Sequence, residues 1–365
     1  MTKDNQQIVQ INERIQILDI LRGFAVFGIL AVNIMAFSLP NHDFSKMIQS
    51  TESIKWYDQL ALSFNEYFTE GKFYIIFSFL FGLGFSVQLA RADAKGSNIL
   101  SFYPRRLLIL LSFCIVHSLF WWGDVLRIYA LLGFVLLAFR KLSNQWLLVL
   151  SVLCFLFSGV VANYPNFFGN GAGSPSDNIL KSILFGLIQM GPSVMAMFFL
   201  GRIMGQLKVF ENLVQYKDLF PKIIMIGTIL SVGLRVITFV FVSEQGGMET
   251  LLKGLSDIAL SAVYVSGLSL ISLNARATKY LQPISNIGRM ALTNYIVQTI
   301  ICVSFFRLLD LEGKVQSAWL LLMTILIYGL QLLYSRWWLD RFKYGPMEWL
   351  WRSLTYGKSQ SFRLK

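Results

Sequence analysis

Arg22 and Asn33 stand eleven positions apart in LDILRGFAVFGILAVNIMAF (Leu18–Phe37), a stretch otherwise made almost wholly of apolar side chains. Eleven residues of α-helix turn through about 1,100° and rise roughly 16.5 Å, so the two share one face. Arg106 and His117 repeat the interval in RRLLILLSFCIVHSLFWWGDVLRIYALLG, with Asp124 and Arg127 close behind. Two helices therefore each place a cation near one end and a neutral polar group further along. An imidazole beside a carboxylate is the usual make-up of a general base, because the carboxylate orients the ring and stabilises its protonated form. Plainer readings stand beside these. A lone arginine can snorkel to lipid headgroups, and an asparagine can bond a neighbouring helix. Recurrence on two helices, in a chain whose only histidines are His42 and His117, favours function.

Other polar residues are less specific. NIGRMALTNYIVQTI sets Asn294 and Gln298 on one helical face, beside Thr293 and Tyr295 and after Arg289. Interhelical hydrogen bonds and a polar cavity wall explain that pattern equally well. In GKFYIIFSFLFGLGF, Lys72 opens an apolar run whose Ser78, Gly82 and Gly84 read as close helix packing. Arg235 lies inside another run and needs a partner, Asp257 or Glu244. Cys114, Cys154 and Cys302 all sit in apolar runs and read as core residues, neither disulfide-bonded nor zinc-binding. The sequence carries no Walker loop, no HExxH and no Cys/His cluster, so no metal is expected.

The elements that must position these groups are membrane spans. The chain of 365 residues is 55% hydrophobic and only 14% charged, too little charge to cover a soluble surface. Apolar runs of about 18 residues or more recur throughout, which predicts an all-α, polytopic integral membrane helical bundle. About ten transmembrane spans are expected, at 17–39, 73–90, 106–122, 125–139, 145–162, 184–204, 222–243, 255–273, 290–308 and 317–335. The first run is too long for a cleaved signal peptide and reads as a retained span. With the N-terminus in the cytosol, Arg91, Lys95, Arg105, Arg106, Arg140, Lys141, Arg202 and Lys208 fall inside, as does a loop holding Arg276, Lys279 and Arg289. Lys46, Lys55, Lys181 and Lys253 fall outside. The bias is about three to one, which predicts both termini cytosolic and assigns the net charge of +12 to inner loops, not to nucleic-acid binding. Ile54–Phe68 reads as a helix at the outer interface and Asn163–Asp177 as an irregular outer loop. Tyr344–Lys358 reads as an inner-interface anchor. The organisation is thus a cytosolic segment (1–16), a bundle (17–343) and an amphipathic cytosolic anchor (344–365).

LDILRGFAVFGILAVNI, GKFYIIFSFLFG, the RRLLILLSFCIVHSLFWWGDVLRIYALLG segment, GRMALTNYIVQ and YGPMEWLWRSLTYG resemble the signature segments of the YeiB-like family of bacterial membrane proteins. The likeness runs from Arg14 to Gly357. That family is similar in turn to transmembrane acyltransferases, among them the heparan-glucosaminide N-acetyltransferases and the enzymes that acylate bacterial surface sugars. In the sugar-acylating enzymes an arginine such as Arg22 is followed by a histidine where this chain has Asn33, a departure from the pattern. The glucosaminide enzymes carry an asparagine there and a catalytic histidine just beyond the helix, which Asn33 and His42 resemble. His117 belongs to the YeiB-like segment itself, so the base is His117 or His42, with His117 favoured by its neighbour Asp124.

The resemblance implies a multi-pass protein of the bacterial cytoplasmic membrane that takes acetyl-CoA or another acyl-CoA as co-substrate. Arg22, Arg105, Arg106 and Arg289 would hold the phosphates and the adenine-ribose end. His117, oriented by Asp124, would take the acceptor's proton. Asn33, with Asn294, would donate to the thioester oxygen. The expected partners are membrane lipid, acyl-CoA and an acceptor of open identity: a surface glycan, a lipid headgroup or a small metabolite. Nucleic acid is not expected, and a homodimer stays open. A transporter or flippase for a lipid-linked or anionic solute, and a non-catalytic scaffold, are the alternatives.

Overall fold

The computed structural model describes residues 15–39, 55–121, 123–163, 179–242 and 246–364. Among the described residues fourteen α-helices follow one another: α1 (Gln16–Phe37), α2 (Trp56–Phe64), α3 (Lys72–Ala94), α4 (Tyr103–Ser118), α5 (Leu126–Ala138), α6 (Asn144–Ala162) and α7 (Ile179–Gln189), then α8 (Gly191–Gln206), α9 (Phe220–Phe241), α10 (Gly247–Ser272), α11 (Ala275–Arg289), α12 (Ala291–Leu308), α13 (Ser317–Leu339) and α14 (Pro346–Tyr356). Among the described residues the only β pairing is one isolated bridge, Phe342 to Arg363.

Each of the ten predicted spans contains a helix, but they are not equal. Eight helical stretches among the described residues are long and apolar enough to cross a bilayer, and a bent pair makes up to nine. The bent pair is α7 and α8, which fill the predicted 184–204 span and meet at 61°. Pro192 lies at the start of α8, where its missing N–H and fixed φ end one helix and favour the next. The predicted 125–139 span is α5, thirteen residues long and so about 20 Å, short of a hydrocarbon core of about 30 Å. The predicted loop holding Arg276, Lys279 and Arg289 is a helix, α11, that packs along α1.

α1 is the axis of the bundle. Two-thirds of its apolar window (67%) is buried, against 17% for α9 at the rim. Around the rim, large apolar side chains such as Trp146, Ile229, Phe239 and Leu333 are exposed, as lipid-facing positions require. Two helix crossings depend on glycine. A Cβ on Gly23 would overlap the Ile284 carbonyl and one on Gly288 the Asp19 carbonyl, so α1 and α11 touch backbone to backbone. Gly82 and Gly201 stand in the same relation where α3 crosses α8, which is the packing role the sequence assigns to Gly82.

Both short amphipathic helices dock through a carboxylate placed on another helix's N-terminus. Asp58 of α2 accepts the Ala318 N–H (3.0 Å) at the start of α13. Glu348 of α14 accepts the N–H groups of Leu292 (2.7 Å) and Thr293 (3.0 Å) and the Thr293 hydroxyl (2.6 Å) at the start of α12. Each satisfies donors that a helix start leaves open and complements its positive dipole end. In the segment read as an interfacial helix, the described residues form α2 followed by a single π-helical turn, Asn65–Thr69.

Candidate functional site

The hairpin of α4 and α5 carries the densest polar chemistry. His117 ends α4 and Asp124 precedes α5, and His117 Nδ1 lies 3.0 Å from Asp124 Oδ2. Asp124 Oδ1 accepts the Leu126 N–H (2.9 Å) and the Tyr295 hydroxyl (3.0 Å). Three donors converge on its two oxygens and fix the carboxylate in place. That requires the Nδ1–H tautomer of His117 and leaves the Nε2 lone pair free. Nε2 is buried and without a hydrogen-bond partner among the described residues. The Tyr295 ring lies 5.2 Å from the imidazole, centroid to centroid. His117, Asp124 and Arg127 are all over nine-tenths buried.

The depth of the pair follows from its partners. α4 and α5 are short, and Tyr295 stands one turn into α12, whose start is capped by Glu348. The His–Asp pair therefore lies within the bundle and not at its far surface. Trp121, in the turn of the hairpin, stacks on Phe37 at the end of α1 (4.4 Å between centroids).

Asn33 lies one turn before Phe37 on α1. Along that helix Arg22, Ile29 and Asn33 are only partly buried, while Ala25, Val26, Leu30, Ala36 and Phe37 on either side are buried. Arg22, Ile29 and Asn33 thus form one partly accessible stripe of α1, and Phe24, Phe27 and Val32 are partly buried too. Arg22 pairs with Asp19 at 3.1 Å and lies near Gly84, where the absent side chain leaves it room.

At the basic end, the Arg106 guanidinium stacks on Trp351 of α14 (3.8 Å), and the Trp351 indole N–H donates to the Arg106 carbonyl (2.9 Å). The fields of Arg352 and Arg22 both reach Arg106, so three arginines from α1, α4 and α14 share a neighbourhood. Arg352, packed between Tyr344 and Tyr356, is the member that sequence reasoning did not assign to the site. Arg105 is exposed beside Gly357. Arg289 follows Gly288, whose backbone lies against Asp19.

Asn294 is placed otherwise than a thioester donor needs. It is fully buried, its amide donates to the Ile287 carbonyl (3.3 Å) and Ser335 hydroxyl (3.2 Å), and its oxygen accepts from Tyr334 (2.6 Å). Gln298 bonds Gln331 (2.8 Å) and the Val26 carbonyl (3.4 Å), so this face of α12 locks α11, α13 and α1 together. His42 and Glu244 lie outside the described residues. A concavity of about 600 Å³ is lined by Leu89, Asp93, Asn98, Ile99, Arg140 and Lys141 among others and contains none of the predicted site residues.

A second buried cluster forms at the far end. Lys72, fully buried, is 2.9 Å from Asp257, and Arg235 is 2.7 Å from the same carboxylate oxygen. Of the two partners the sequence allows for Arg235, the fold supplies Asp257. Lys72 also donates to the Glu66 carbonyl (2.8 Å) in the π-helical turn.

Comparison with known sequences gives one consistent picture. The profile of a family described as "Protein of unknown function (DUF418)" matches residues 204–358. The uncharacterized protein YxaH of Bacillus subtilis (strain 168) is 34% identical, over 94% of this chain and 95% of its own length. An uncharacterized 39.9 kDa protein from the amylase 3' region of Bacillus acidopullulyticus is 33% identical over 98% of both chains. The uncharacterized protein YeiB of Escherichia coli (strain K12) is 28% identical over 94% of this chain and 96% of its own.

Proposed function

Starting from a chain that belongs to the YeiB-like family and buries a histidine–aspartate pair within its helices, we propose that it is a membrane-embedded acyltransferase. It moves an acyl group, acetyl in the simplest case, from cytosolic acyl-CoA to an acceptor at the membrane or on its outer side. In this reading both termini and the Arg22–Arg106–Arg352 end face the cytosol, in the bacterial cytoplasmic membrane. The arginines bind the phosphates, with Arg105 and Arg289 at the margin, and the pantetheine arm follows the accessible stripe of α1. The rise of roughly 16.5 Å from Arg106 to His117 is of the order of that arm's reach.

His117 Nε2 takes the proton of the acceptor hydroxyl or amine as its oxygen or nitrogen attacks the thioester carbon. The new C–O or C–N bond forms, the C–S bond breaks, and the proton passes from Nε2 to the departing CoA thiolate. Asp124 stabilises the imidazolium in between, and Asn33 donates to the oxyanion. The observation that carries the reading is the His117–Asp124 bond at 3.0 Å with Nε2 buried and unclaimed.

The test is turnover of acetyl-CoA by the purified protein, as hydrolysis or transfer, beside direct acetyl-CoA binding. His117→Ala is expected to lower turnover by about a hundredfold or more with binding kept. Unchanged turnover in that variant sinks the reading. A transporter is the second reading, favoured by the buried Lys72–Asp257–Arg235 cluster and the bent α7–α8 pair. It predicts solute uptake into vesicles that fails in Asp257→Asn and is indifferent to His117→Ala.

A further inference from the structure

Arg127 is a largely buried arginine that no described residue pairs. It is 6% exposed, makes no hydrogen bond or ion pair with another described residue, and its Nε is sealed from solvent. Asp124 acts on it through space, as do Tyr295 and Cys114, but the bonds of Asp124 already go to His117, Tyr295 and the Leu126 N–H. Arg127 is also the second residue of α5, the positive end of a thirteen-residue helix, where a cation is unfavourable. An unpaired buried charge is costly in any protein and more so within a membrane. Asp124 and Tyr295 are also neighbours of His117, whose Nε2 is unclaimed among the described residues.

We propose that Arg127 is a binding residue for an oxyanion, a phosphate or carboxylate, carried by the acyl acceptor. The guanidinium and the N-terminus of α5 hold the anionic group, and Nε2 of His117 faces the hydroxyl or amine of the same molecule. The word acceptor rests on the acyltransferase reading; the oxyanion site does not. Two sources supply such a group, an anionic phospholipid headgroup and a water-soluble phosphorylated or carboxylated metabolite.

The chain's two histidines make the test selective. The full-length protein, labelled with 15N-histidine in phosphatidylcholine nanodiscs, shows two imidazole sets, and His117→Gln assigns one of them. Inorganic phosphate or sodium acetate is expected to move the His117 signals saturably, and chloride at equal ionic strength is not. Arg127→Gln should abolish the response, and Arg127→Lys should keep it with about tenfold weaker affinity. In phosphatidylglycerol nanodiscs, signals already displaced before any addition identify the lipid headgroup. Unchanged signals there, with a response to soluble anion, identify a metabolite. No saturable response in the wild type to either anion or to phosphatidylglycerol, or an equal response in Arg127→Gln, overturns the proposal. Acetyl-CoA binding measured on the same samples reads the acyltransferase proposal separately, so either can fail alone.

Discussion

At the residue scale the hairpin depends on one carboxylate with three donors. Asp124 selects the His117 tautomer, and an amide in its place offers only one oxygen and presents an N–H to the ring. Asp124→Asn is therefore expected to lower acetyl-CoA turnover by about two to four orders of magnitude, with acetyl-CoA binding unchanged. Tyr295→Phe removes one of the donors and leaves the pair together, so a loss of about tenfold in kcat at constant KM is expected. Equal losses in the two variants would show that Asp124 serves packing and not proton transfer. His117 and Asp124 were legible because seven residues of hairpin separate them and their types are rare in an apolar run. Tyr295 was not, being 171 positions from Asp124 in a segment with several equally polar neighbours.

At the element scale the C-terminal helix is held by a carboxylate and a stacked arginine. Glu348→Ala should weaken docking of α14 by about 1–2 kcal/mol, measured as earlier proteolytic cleavage after Leu339 and a lower Tm. Burial pushes the Glu348 carboxyl above the usual glutamate range, partly countered by the bonds from Thr293 and Leu292. A folded-state value raised above the unfolded one means that docking is strongest below the ordinary glutamate range and weakens as pH rises through the raised value. Glu348→Gln should flatten that dependence, and a pH series of proteolysis rates reads it. Tryptophans paired with basic residues made this segment legible as an amphipathic helix. Composition did not identify α11, whose charges at Arg276, Lys279 and Arg289 read as a loop, although its other face packs on α1.

At the scale of the whole molecule the far end is tied by ions. Lys72, Asp257 and Arg235 join α3, α10 and α9, and two cations share one carboxylate oxygen. Removing the shared carboxylate leaves two cations uncompensated, so Asp257→Asn is expected to cost about 3–5 kcal/mol, and Lys72→Met, which leaves Arg235 paired with Asp257, less. The triple variant Lys72→Met, Asp257→Leu, Arg235→Met should recover much of that loss, since it removes the three charges together. Thermal unfolding in detergent measures both, and an unaltered Tm in the single variants would show the cluster serves function without contributing stability.

Hydrophobic run length alone determined that this is a helical membrane protein, roughly where its helices lie, and that a histidine and an aspartate meet in a hairpin. Those properties are local: a span is a stretch of sequence, and a hairpin joins neighbours. Which helices face one another was decided only by the tertiary structure. Among lipid-like side chains every face of a span looks alike in sequence, and glycine crossings and a few polar bonds choose the partners. That choice put Tyr295 on Asp124, Asp257 between Lys72 and Arg235, and Asn294 among α11, α12 and α13. It also left Arg127 buried without a counter-ion bond, a feature that no reading of spacing could supply.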